Sequence, residues 1–434
     1  MRKFILFATI ICSFQGGFAD VAVTRVTLKN GMQVWMKPTN FESEEVVLRL
    51  ISEGGYASLP EDQRCAGELA ASAALESGFG KMDPDHLSAL FYEHAIDFSA
   101  RIQAFSHLIE ATLHSDSLPI ALNLCKLYFT QQQLSEEGFN EVVKQTKEGF
   151  EYHIEDGRTL YEDTFKNLNT QNYAPIKPLK PKFLDTARFE VAHDFLEASL
   201  ADPSRFVCIL LGDFDQEKVV PILEVTLGTI PKITPKKPLE QPSIPTFPTE
   251  VIAKVINFYG RADSVGRLTF PLNKPLEEGD SHIMDVGVQA LEMRLRQVMH
   301  DRYDGAHMCV NVTYELPLYP LRDSPWIVIQ YRSEPRKTAL VKEVLLTAFK
   351  LFQENGPTPG EIEKVEDNIH RNQDFWLDDN DYWLASLTNY AIWNWNPEGI
   401  VAAEDKPQTT AEKVKQVFQI YLPKERYTWL YSQN

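Results

Sequence analysis

Histidine and carboxylate side chains at helical spacing are the first residues to consider as ligands of a catalytic metal. His193 and Glu197 are four residues apart, so a helix would place both on one face. A catalytic zinc needs three protein ligands, and two groups are too few. None of the ten histidines stands in an H-x-x-E-H motif, and the sequence has neither a G-x-S-x-G elbow nor a P-loop. We therefore expect His193 and Glu197 to lie on a solvated helix surface.

Composition limits the kinds of partner. The 434 residues include 43 basic and 61 acidic side chains, a net charge of -18. This balance argues against nucleic acid, because phosphate binding needs clustered positive charge. With 44% hydrophobic residues, the chain can bury cores for two domains of ordinary size.

The cysteines after the first twenty residues are widely spaced and form no C-x-x-C pair. They are Cys65, Cys125, Cys208 and Cys309. This spacing favours neither a cysteine zinc site nor a disulfide framework. Cys208 and Cys309 lie in strand-like stretches, where we expect small buried hydrophobic residues.

Residues 1–19 are typical of a secretory signal. Arg2 and Lys3 precede the apolar run 4–12, and Gly17-Phe18-Ala19 provides a small-residue cleavage context. The apolar run is about half of the ~20 residues needed to span a bilayer. We expect a mature chain that begins near Asp20 and is secreted or periplasmic, without a membrane span.

A proline-rich stretch, residues 231–249, divides the chain, because proline continues neither a helix nor a central strand. The first half begins with the strongest hairpin signal, Asn30-Gly31 between residues 23–28 and 32–36. It continues with a strand at 46–51, an alanine-rich helix over 68–75 that ends at Gly78, and a buried strand at 206–211 that leads into a helix.

The second half repeats this order. Strands are predicted at 265–270, 308–314 and 326–331, with a helix through 288–298 and another over 340–352. Thr358 and Glu361 form a capping box that opens a further helix. The repetition suggests an internal duplication. We predict an α+β fold with two similar α/β sandwich domains, 20–230 and 250–434, joined by the proline-rich linker.

Three segments resemble a known family in their order and spacing. They are Leu-Lys-Asn-Gly-Met-Gln-Val at 28–34, Leu-Leu-Gly-Asp-Phe-Asp at 210–215 before a helix, and the stretch 295–303 from Leu-Arg to Tyr. Together they resemble the insulinase/pitrilysin family of zinc peptidases over nearly the whole mature chain. The resemblance implies a half-molecule of two similar α/β domains that faces a second half across a closed chamber.

The resemblance places the family's zinc-binding helix between Cys65 and Gly78, a segment without histidine. If Gly78 is the glycine that follows the motif, Leu69, Ser72 and Ala73 occupy the positions of the family's His, Glu and His. Zinc needs nitrogen or carboxylate ligands, and its water needs a general base. We therefore expect no metal in this chain and no peptide hydrolysis by this half alone.

Two glutamates lie near the position of the family's third zinc ligand. Without histidines, the better interpretation of Glu148 and Glu151 is a pair of surface glutamates.

The resemblance also implies a role for Arg296 and Tyr303. Non-zinc halves of the family keep an arginine and, seven positions later, a tyrosine that reach the partner's active site. A guanidinium fork and a phenolic O–H can hold substrate carbonyls and stabilise an oxyanion. The alternative is that Arg296 lies on a solvated helix face and Tyr303 is a half-buried strand residue. Neighbouring Arg294, His300 and Arg302 leave the register open.

Three functional hypotheses follow. The first is the non-catalytic half or subunit of a two-part zinc metalloendopeptidase, in a heterodimer with a zinc-bearing subunit of the same family that cleaves peptides. The second is a structural or peptide-binding protein that reuses the fold and has no proteolytic role. A neighbouring reading frame with H-x-x-E-H favours the first. The third, an independent enzyme, lacks a convincing constellation of side chains.

The family's chamber binds peptides as an added edge strand of a sheet. Residues 46–51 are the candidate strand in the first domain.

Overall fold

The computed structural model describes residues 22–151, 157–177, 179–257, 263–303, 309–315, 325–400 and 409–433. These residues form a mixed α/β fold with two β-sheets and helices packed against them. The expected signal segment, residues 1–19, and Met308 of the expected strand 308–314 lie outside the described residues.

The first sheet has six strands. They are β1 (Thr24–Thr27), β2 (Gln33–Pro38), β3 (Glu45–Glu53), β4 (Asp97–Ile102), β5 (Ser106–His114) and β6 (Phe206–Gly212). Their order is β1-β2-β6-β3-β5-β4. The β2–β6 pair is parallel, and the other pairs are antiparallel.

The second sheet has five strands. They are β7 (Ile252–Asn257), β8 (Ser264–Pro271), β9 (Val310–Glu315), β10 (Trp326–Ser333) and β11 (Thr428–Gln433). Their order is β7-β11-β8-β10-β9, with β7–β11 parallel and the other pairs antiparallel. The arrangement β2-β6-β3-β5-β4 of the first sheet therefore recurs in the second, with the same strand directions.

The helices follow a similar sequence in each half. Those up to residue 225 are α1 (Arg64–Leu75), α2 (Pro84–Glu93), α3 (Leu118–Gln131), α4 (Glu136–Glu151), α5 (Gly157–Asn169), α6 (Pro181–Leu184), α7 (Phe189–Leu200) and α8 (Gln216–Val225). Those after it are α9 (Glu278–Tyr303), α10 (Thr338–Asn355), α11 (Pro359–Leu377), α12 (Asn380–Trp393) and α13 (Ala411–Tyr421).

Local sequence signals explain several element ends. The β1–β2 turn uses Gly31 at φ +89°, a conformation that favours glycine, and the Asn30 side chain accepts a 3.2 Å hydrogen bond from the Met32 N–H. At the start of α11, Thr358 and Glu361 form both bonds of the predicted capping box. These signals confirm the hairpin and the capping box predicted from the sequence.

Each sheet has a large apolar core on one face. The first core joins alternate residues of β2 and β6, such as Val34 and Leu210, to the small residues of α1 and to α3 and α7. The second joins Ile327 and Ile329 of β10 to α9, α10 and α13. This alternation is the period of two that a strand imposes on its side chains.

The opposite face of each sheet is covered by a helix from the other half of the sequence. Trp383 and Leu387 of α12 pack on Trp35, Ile209 and Leu211 of the first sheet. The Trp383 indole is fully buried, donates a 2.9 Å hydrogen bond to the Leu377 carbonyl, and lies 4.7 Å from the Lys37 ammonium. Helix α12 is thus anchored by apolar burial and by one satisfied polar group.

Helix α5 makes the reciprocal contact with the second sheet. Tyr161 and Phe165 of α5 pack on Trp326, Val328 and Leu430, in a cluster that also contains Phe247 of the proline-rich stretch and Ile256. The two helices therefore exchange places: α5 covers the second sheet and α12 covers the first.

An ion pair also joins α5 to the second sheet. Glu162 accepts two hydrogen bonds, of 2.7 and 2.8 Å, from the Arg267 guanidinium of β8. This bidentate geometry is the strong form of an arginine–carboxylate pair.

Two sequence-based expectations about strands are wrong. Residues 46–51 belong to β3, which is paired on both sides, with β5 and with β6, so it offers no free edge. The edge strand beside β5 is β4. Cys208 is buried in β6 as expected, but Cys309 is exposed, because it lies next to the edge strand β9.

Replacing Trp383 with alanine tests the importance of the exchanged helix. Trp383→Ala leaves a cavity between α12 and the first sheet, and we expect it to lower the free energy of unfolding by about 3–5 kcal/mol in chemical denaturation. Trp376→Ala is the matched control, because Trp376 is on α11 and is 41% exposed. Equal losses in the two variants would contradict this account of the packing.

Candidate functional site

Helix α1 contains the positions to which the resemblance assigns the family's zinc motif. Leu69 and Ala73 are buried in the first core, at 7% and 0% exposure. Glu68 and Ser72, four residues apart on one helix face, are half-buried and line a cavity. Apolar core residues therefore occupy two of the three assigned positions, 69 and 73. The side of α1 that carries Glu68 and Ser72 remains polar and accessible.

The cavity beside α1 has a volume of about 730 Å³. Its walls come from α1, the end of β4, the β4–β5 turn, Lys166 at the end of α5, Ile176 of a short 3-10 turn, and α12. Helix α12 contributes Asn389, Ile392 and Trp393. The cavity is thus built from both halves of the chain.

A second 3-10 turn, Tyr56–Ser58, closes another side of the cavity. It is tied to the β4–β5 turn by hydrogen bonds from the Tyr56 N–H to the Gln103 carbonyl (3.1 Å) and from the Ala57 N–H to the Ala104 carbonyl (2.8 Å). A Cβ at Gly55 would lie 2.0 Å from the Gln103 carbonyl oxygen, so this approach requires glycine. These contacts fix Tyr56 at the cavity wall.

Glu68 is the carboxyl group of this cavity. Burial raises its pKa from 4.5 to about 7, because desolvation disfavours the charged form. Arg101 and Lys166 line the same cavity but are exposed. Among the described residues, no cation lies within ion-pair distance of Glu68.

The other titratable groups near Glu68 stay protonated at neutral pH. Burial, with a smaller contribution from the Glu68 charge, raises the pKa of the Cys65 thiol to about 12. The same two causes raise the pKa of Tyr56 above its usual range. Since the thiolate is the reactive form of cysteine, Cys65 is a packing residue rather than a nucleophile.

The donor atoms on this face do not fit a zinc ion. Zinc takes four ligands, of which at least three come from the protein in catalytic sites. Helix α1 offers the Glu68 carboxylate and the Ser72 hydroxyl, and Glu148 of α4 is exposed. Across the described part of the chain, no group of three or more histidine, cysteine, aspartate and glutamate residues could hold a metal.

Arg296 and Tyr303 lie on one long helix, α9. The Arg296 Nε–H donates a 2.9 Å hydrogen bond to the Val310 carbonyl of β9, and its Nη2 lies 2.7 Å from the Glu292 carboxylate. The Arg296 side chain remains 58% exposed. Tyr303 is the last residue of α9 and packs partly buried against the second core. It is therefore a helix residue and not the strand residue considered above.

Arg294, which is an alternative to Arg296 in the assigned arginine–tyrosine spacing, is bound within the protein. Its guanidinium forms two hydrogen bonds with the Glu361 carboxylate, one of them 2.6 Å long, and lies over the Phe352 ring. Arg294 thus joins α9 to α11, and its guanidinium is engaged by Glu361.

His193 and Glu197 lie on α7, as the spacing predicts, and both are half-buried rather than fully solvated. The His193 Nδ1 is 3.8 Å from the Asp194 carboxylate.

A buried histidine that the motif search missed is His107 of β5. Its Nδ1 lies 3.1 Å from the Ser199 hydroxyl and its Nε2 lies 3.0 Å from the Tyr128 hydroxyl. Burial lowers the His107 pKa to about 3, so the ring is neutral at pH 7. His107 and Tyr128 are fully buried and Ser199 is 2% exposed, so substrate has no access and the network is structural. No sequence spacing indicates it, because its members come from three distant segments.

Known proteins share sequence and fold with this chain. Residues 193–369 match the family model described as the peptidase M16 inactive domain. A zinc protease PQQL-like protein of Arabidopsis thaliana is 23% identical over 384 residues, which cover 85% of this chain and 37% of the relative. The chain therefore spans well under half the length of that relative.

Solved structures share the fold. The periplasmic protease PqqL from Escherichia coli superposes with a TM-score of 0.75 at 15% identity, covering 97% of this chain and 46% of that one. A peptidase M16 inactive domain from Pseudomonas fluorescens superposes with a TM-score of 0.73 at 16% identity, covering 95% and 98% of the two chains.

Residues 193–369 thus resemble the inactive domain of the M16 peptidases, and 85% of the chain is similar to a zinc protease PQQL-like protein. The resemblance to insulinase/pitrilysin-like peptidases inferred from its motifs is thereby confirmed. Within the residues described, no helix is long and apolar enough to cross a membrane.

Glu68→Gln tests the burial of the carboxyl group. Because the folded-state pKa is raised to about 7, ionisation of Glu68 destabilises the fold as pH rises from about 5, and the cost is complete above about 7. We expect Glu68→Gln to be as stable as the wild type near pH 5 and more stable at pH 8, by up to about 3 kcal/mol.

Chemical denaturation at both pH values measures this difference. Glu148→Gln on the exposed face of α4 is the control and should change stability little at either pH. A pH-independent difference between Glu68→Gln and the wild type would contradict the burial argument.

Proposed function

We propose that this chain is the non-catalytic half or subunit of a two-part zinc metalloendopeptidase. The observation that carries the proposal is the state of α1: Leu69 and Ala73 fill the core at motif positions, while the cavity beside the helix persists. The inactive-domain match and the relation to a zinc protease support it. In this proposal the chain forms part of a peptide-binding chamber and is inactive alone.

The proposed domains are 20–230 and 250–434, after a signal segment at 1–19 and with a linker at 231–249. The recurrence of five strands in the same order and directions supports two related units. Residues 231–249 contain no helix or strand, which suits a connection between them. The exchange of α5 and α12 makes the two units dependent on each other.

The proposed partner is a zinc-bearing subunit of the same family, forming a heterodimer with this chain. Zinc is expected in the partner and no cofactor in this chain. The periplasmic location of the Escherichia coli protease and the basic, apolar N-terminal residues support a secreted or periplasmic site of action.

Arg296 and Tyr303 are the residues proposed to contribute to the partner's active site. The Arg296 side chain is 58% exposed, so its guanidinium can contact a ligand while the Nε–H remains bonded to the Val310 carbonyl. Both groups are donors that can bind substrate carbonyls and an oxyanion. Arg302 and His300 on the same last turns are also exposed and serve as comparisons.

Peptide substrates are proposed to pair with β4. This strand is at the edge of the first sheet, and its residues Arg101 and Ile102 line the cavity beside α1. Strand addition gives affinity through main-chain hydrogen bonds with little sequence preference.

A second candidate is a structural or peptide-binding protein with no proteolytic role. The contacts of Arg296 with Glu292 and Val310 favour it, because they give this side chain a structural partner inside the chain.

Metal analysis of the purified chain is the first test. We expect no stoichiometric zinc and no cleavage of peptides by the chain alone, since α1 lacks the ligands of a catalytic site. One zinc per chain, removed by chelator together with peptidase activity, would contradict the proposal.

Substitutions in the complex with its partner are the second test. Arg296→Ala and Tyr303→Phe should each lower turnover by about a hundredfold or more, the loss of about 2.7–4 kcal/mol that removal of one oxyanion donor causes. Complex formation and the partner's zinc content should not change. Arg302→Ala is the matched control on the same helix and should retain turnover.

Thermal melting of the same variants separates a role in turnover from lost stability. Unchanged turnover in well-folded Arg296→Ala and Tyr303→Phe would favour the second candidate, a scaffold without a catalytic contribution.

A further inference from the structure

The cavity beside α1 combines one carboxyl group with apolar side chains and with neutral polar groups such as Gln103 and Asn389. Glu68 of α1 lines it, and Ser72 lies one helical turn away. The apolar walls come from α1, the β4–β5 region, a 3-10 turn and α12: Leu69, Ile102, Ala104, Phe105, Ile176, Ile392 and Trp393. A ligand group that matches these walls has an apolar stem and a polar end.

Glu68 gives the α1 wall a negative charge when it is ionised, and no cation of the described residues lies at ion-pair distance from it. Arg101 of β4 and Lys166 of α5 are exposed at the cavity, and Tyr56 of the 3-10 turn Tyr56–Ser58 is neutral. Arg64 lies one turn before Glu68 on the same face of α1, and its Nε–H donates a 3.0 Å hydrogen bond to the Leu59 carbonyl. Lys147 of α4 lies near Cys65. The 3-10 turn at 174–176 and α12 contribute no charged side chain to the lining. A half-buried carboxylate without an ion-pair partner favours a cationic ligand.

The position of the cavity determines which part of a ligand can reach Glu68. Arg101 and Ile102 belong to the edge strand β4 and also line the cavity. A peptide strand paired with β4 would pass the cavity, and alternate side chains of that strand would point toward one face of the sheet. One side chain of the peptide is therefore placed to enter.

We infer that this cavity is a specificity pocket for a lysine or arginine side chain of a peptide bound along β4, with the Glu68 carboxylate as the counter-ion. The inference rests on the proposed peptide-binding function and adds a substrate class to it. The methylene stem of the basic side chain packs on the apolar walls, as amphipathic side chains do. The cationic end forms a charge-assisted hydrogen bond with Glu68.

This arrangement makes recognition depend on pH. Only the ionised form of Glu68 attracts a cation, and its pKa of about 7 in the free protein means that the binding form is a minority at pH 6. Affinity falls in proportion to the fraction of competent protein, so binding of a basic peptide should weaken about tenfold from pH 8 to pH 6.

The test uses two fluorescent peptides that differ in one residue, each with blocked termini and a valine- and threonine-rich extended sequence. One carries a central lysine, and the other carries norleucine, which has a similar stem and no charge. Fluorescence anisotropy with the full chain measures both affinities at pH 6 and pH 8. At pH 8 we expect the lysine peptide to bind about tenfold more tightly than the norleucine peptide. At pH 6 this difference in affinity should shrink.

Variants assign the preference to the pocket. Glu68→Gln should remove the preference for lysine and its pH dependence while the norleucine peptide binds as before. Ser72→Leu, which fills space beside Glu68 without a charge change, should weaken the lysine peptide as well. Glu148→Gln, on an exposed face, should behave as the wild type. Melting curves at pH 8 verify that each variant is folded.

The outcomes separate the pocket from the peptide-binding function. Equal binding of the two peptides, or a lysine preference that survives in folded Glu68→Gln, overturns the pocket and leaves binding along β4 intact. Failure of both peptides to bind the chain, alone and in its complex with the partner, overturns the peptide-binding function and the pocket with it.

Discussion

The packing of α5 and α12 across the two halves is the constraint on which the rest of the structure depends. Each sheet has one face covered by helices of its own half. The other face is covered mainly by one helix from the other half, α12 on the first sheet and α5 on the second. Removal of α12 would expose Trp35, Ile209 and Leu211, and large side chains of this kind contribute about 1.5–3 kcal/mol each when buried. Neither sheet can bury both faces without the other half.

The cavity depends on the same exchange. Helix α12 provides Ile392 and Trp393, α5 provides Lys166, and the inner wall belongs to α1. A site whose walls come from segments more than 300 residues apart exists only when the two sheets are docked. The site therefore depends on the packing of both halves of the chain against each other. The burial that raises the Glu68 pKa has the same origin, because it requires the surrounding walls.

Sequence patterns predicted the local elements well and the long-range arrangement poorly. The Asn30-Gly31 hairpin and the Thr358–Glu361 capping box depend on contacts within a few residues, and both are present. The position of β3 in the middle of its sheet depends on strands more than 50 residues away, and the edge assignment of residues 46–51 was wrong. A signal was available, because a run such as Val46 to Ile51 with apolar residues on both faces is typical of a strand covered on both sides.

The candidate site was partly predictable for a similar reason. The absence of histidines from α1 is visible in the sequence, whereas Glu68 lies beside the assigned positions 69, 72 and 73 and belongs to no motif. The helical spacing of Glu68 and Ser72 was visible, but the burial that distinguishes this glutamate from Glu148 comes from α12 and the β4–β5 turn. The exchange of α5 and α12 gave no sequence signal, because an amphipathic helix does not specify which sheet it covers.

The two equivalent edge strands differ in a way that bears on where a peptide can bind. At β9, the Val310 carbonyl accepts from Arg296 and the Val312 N–H donates to Glu292 at 2.7 Å, so side chains of α9 occupy main-chain groups that an added strand would use. Along β4, the described residues show no such side-chain contacts to the outer main-chain groups, and the cavity lies beside the strand. Covering an edge is a common way to prevent strand addition. Since α1 and α9 precede equivalent edge strands, the same framework leaves one edge available for a ligand and closes the other with the Glu292–Arg296 pair.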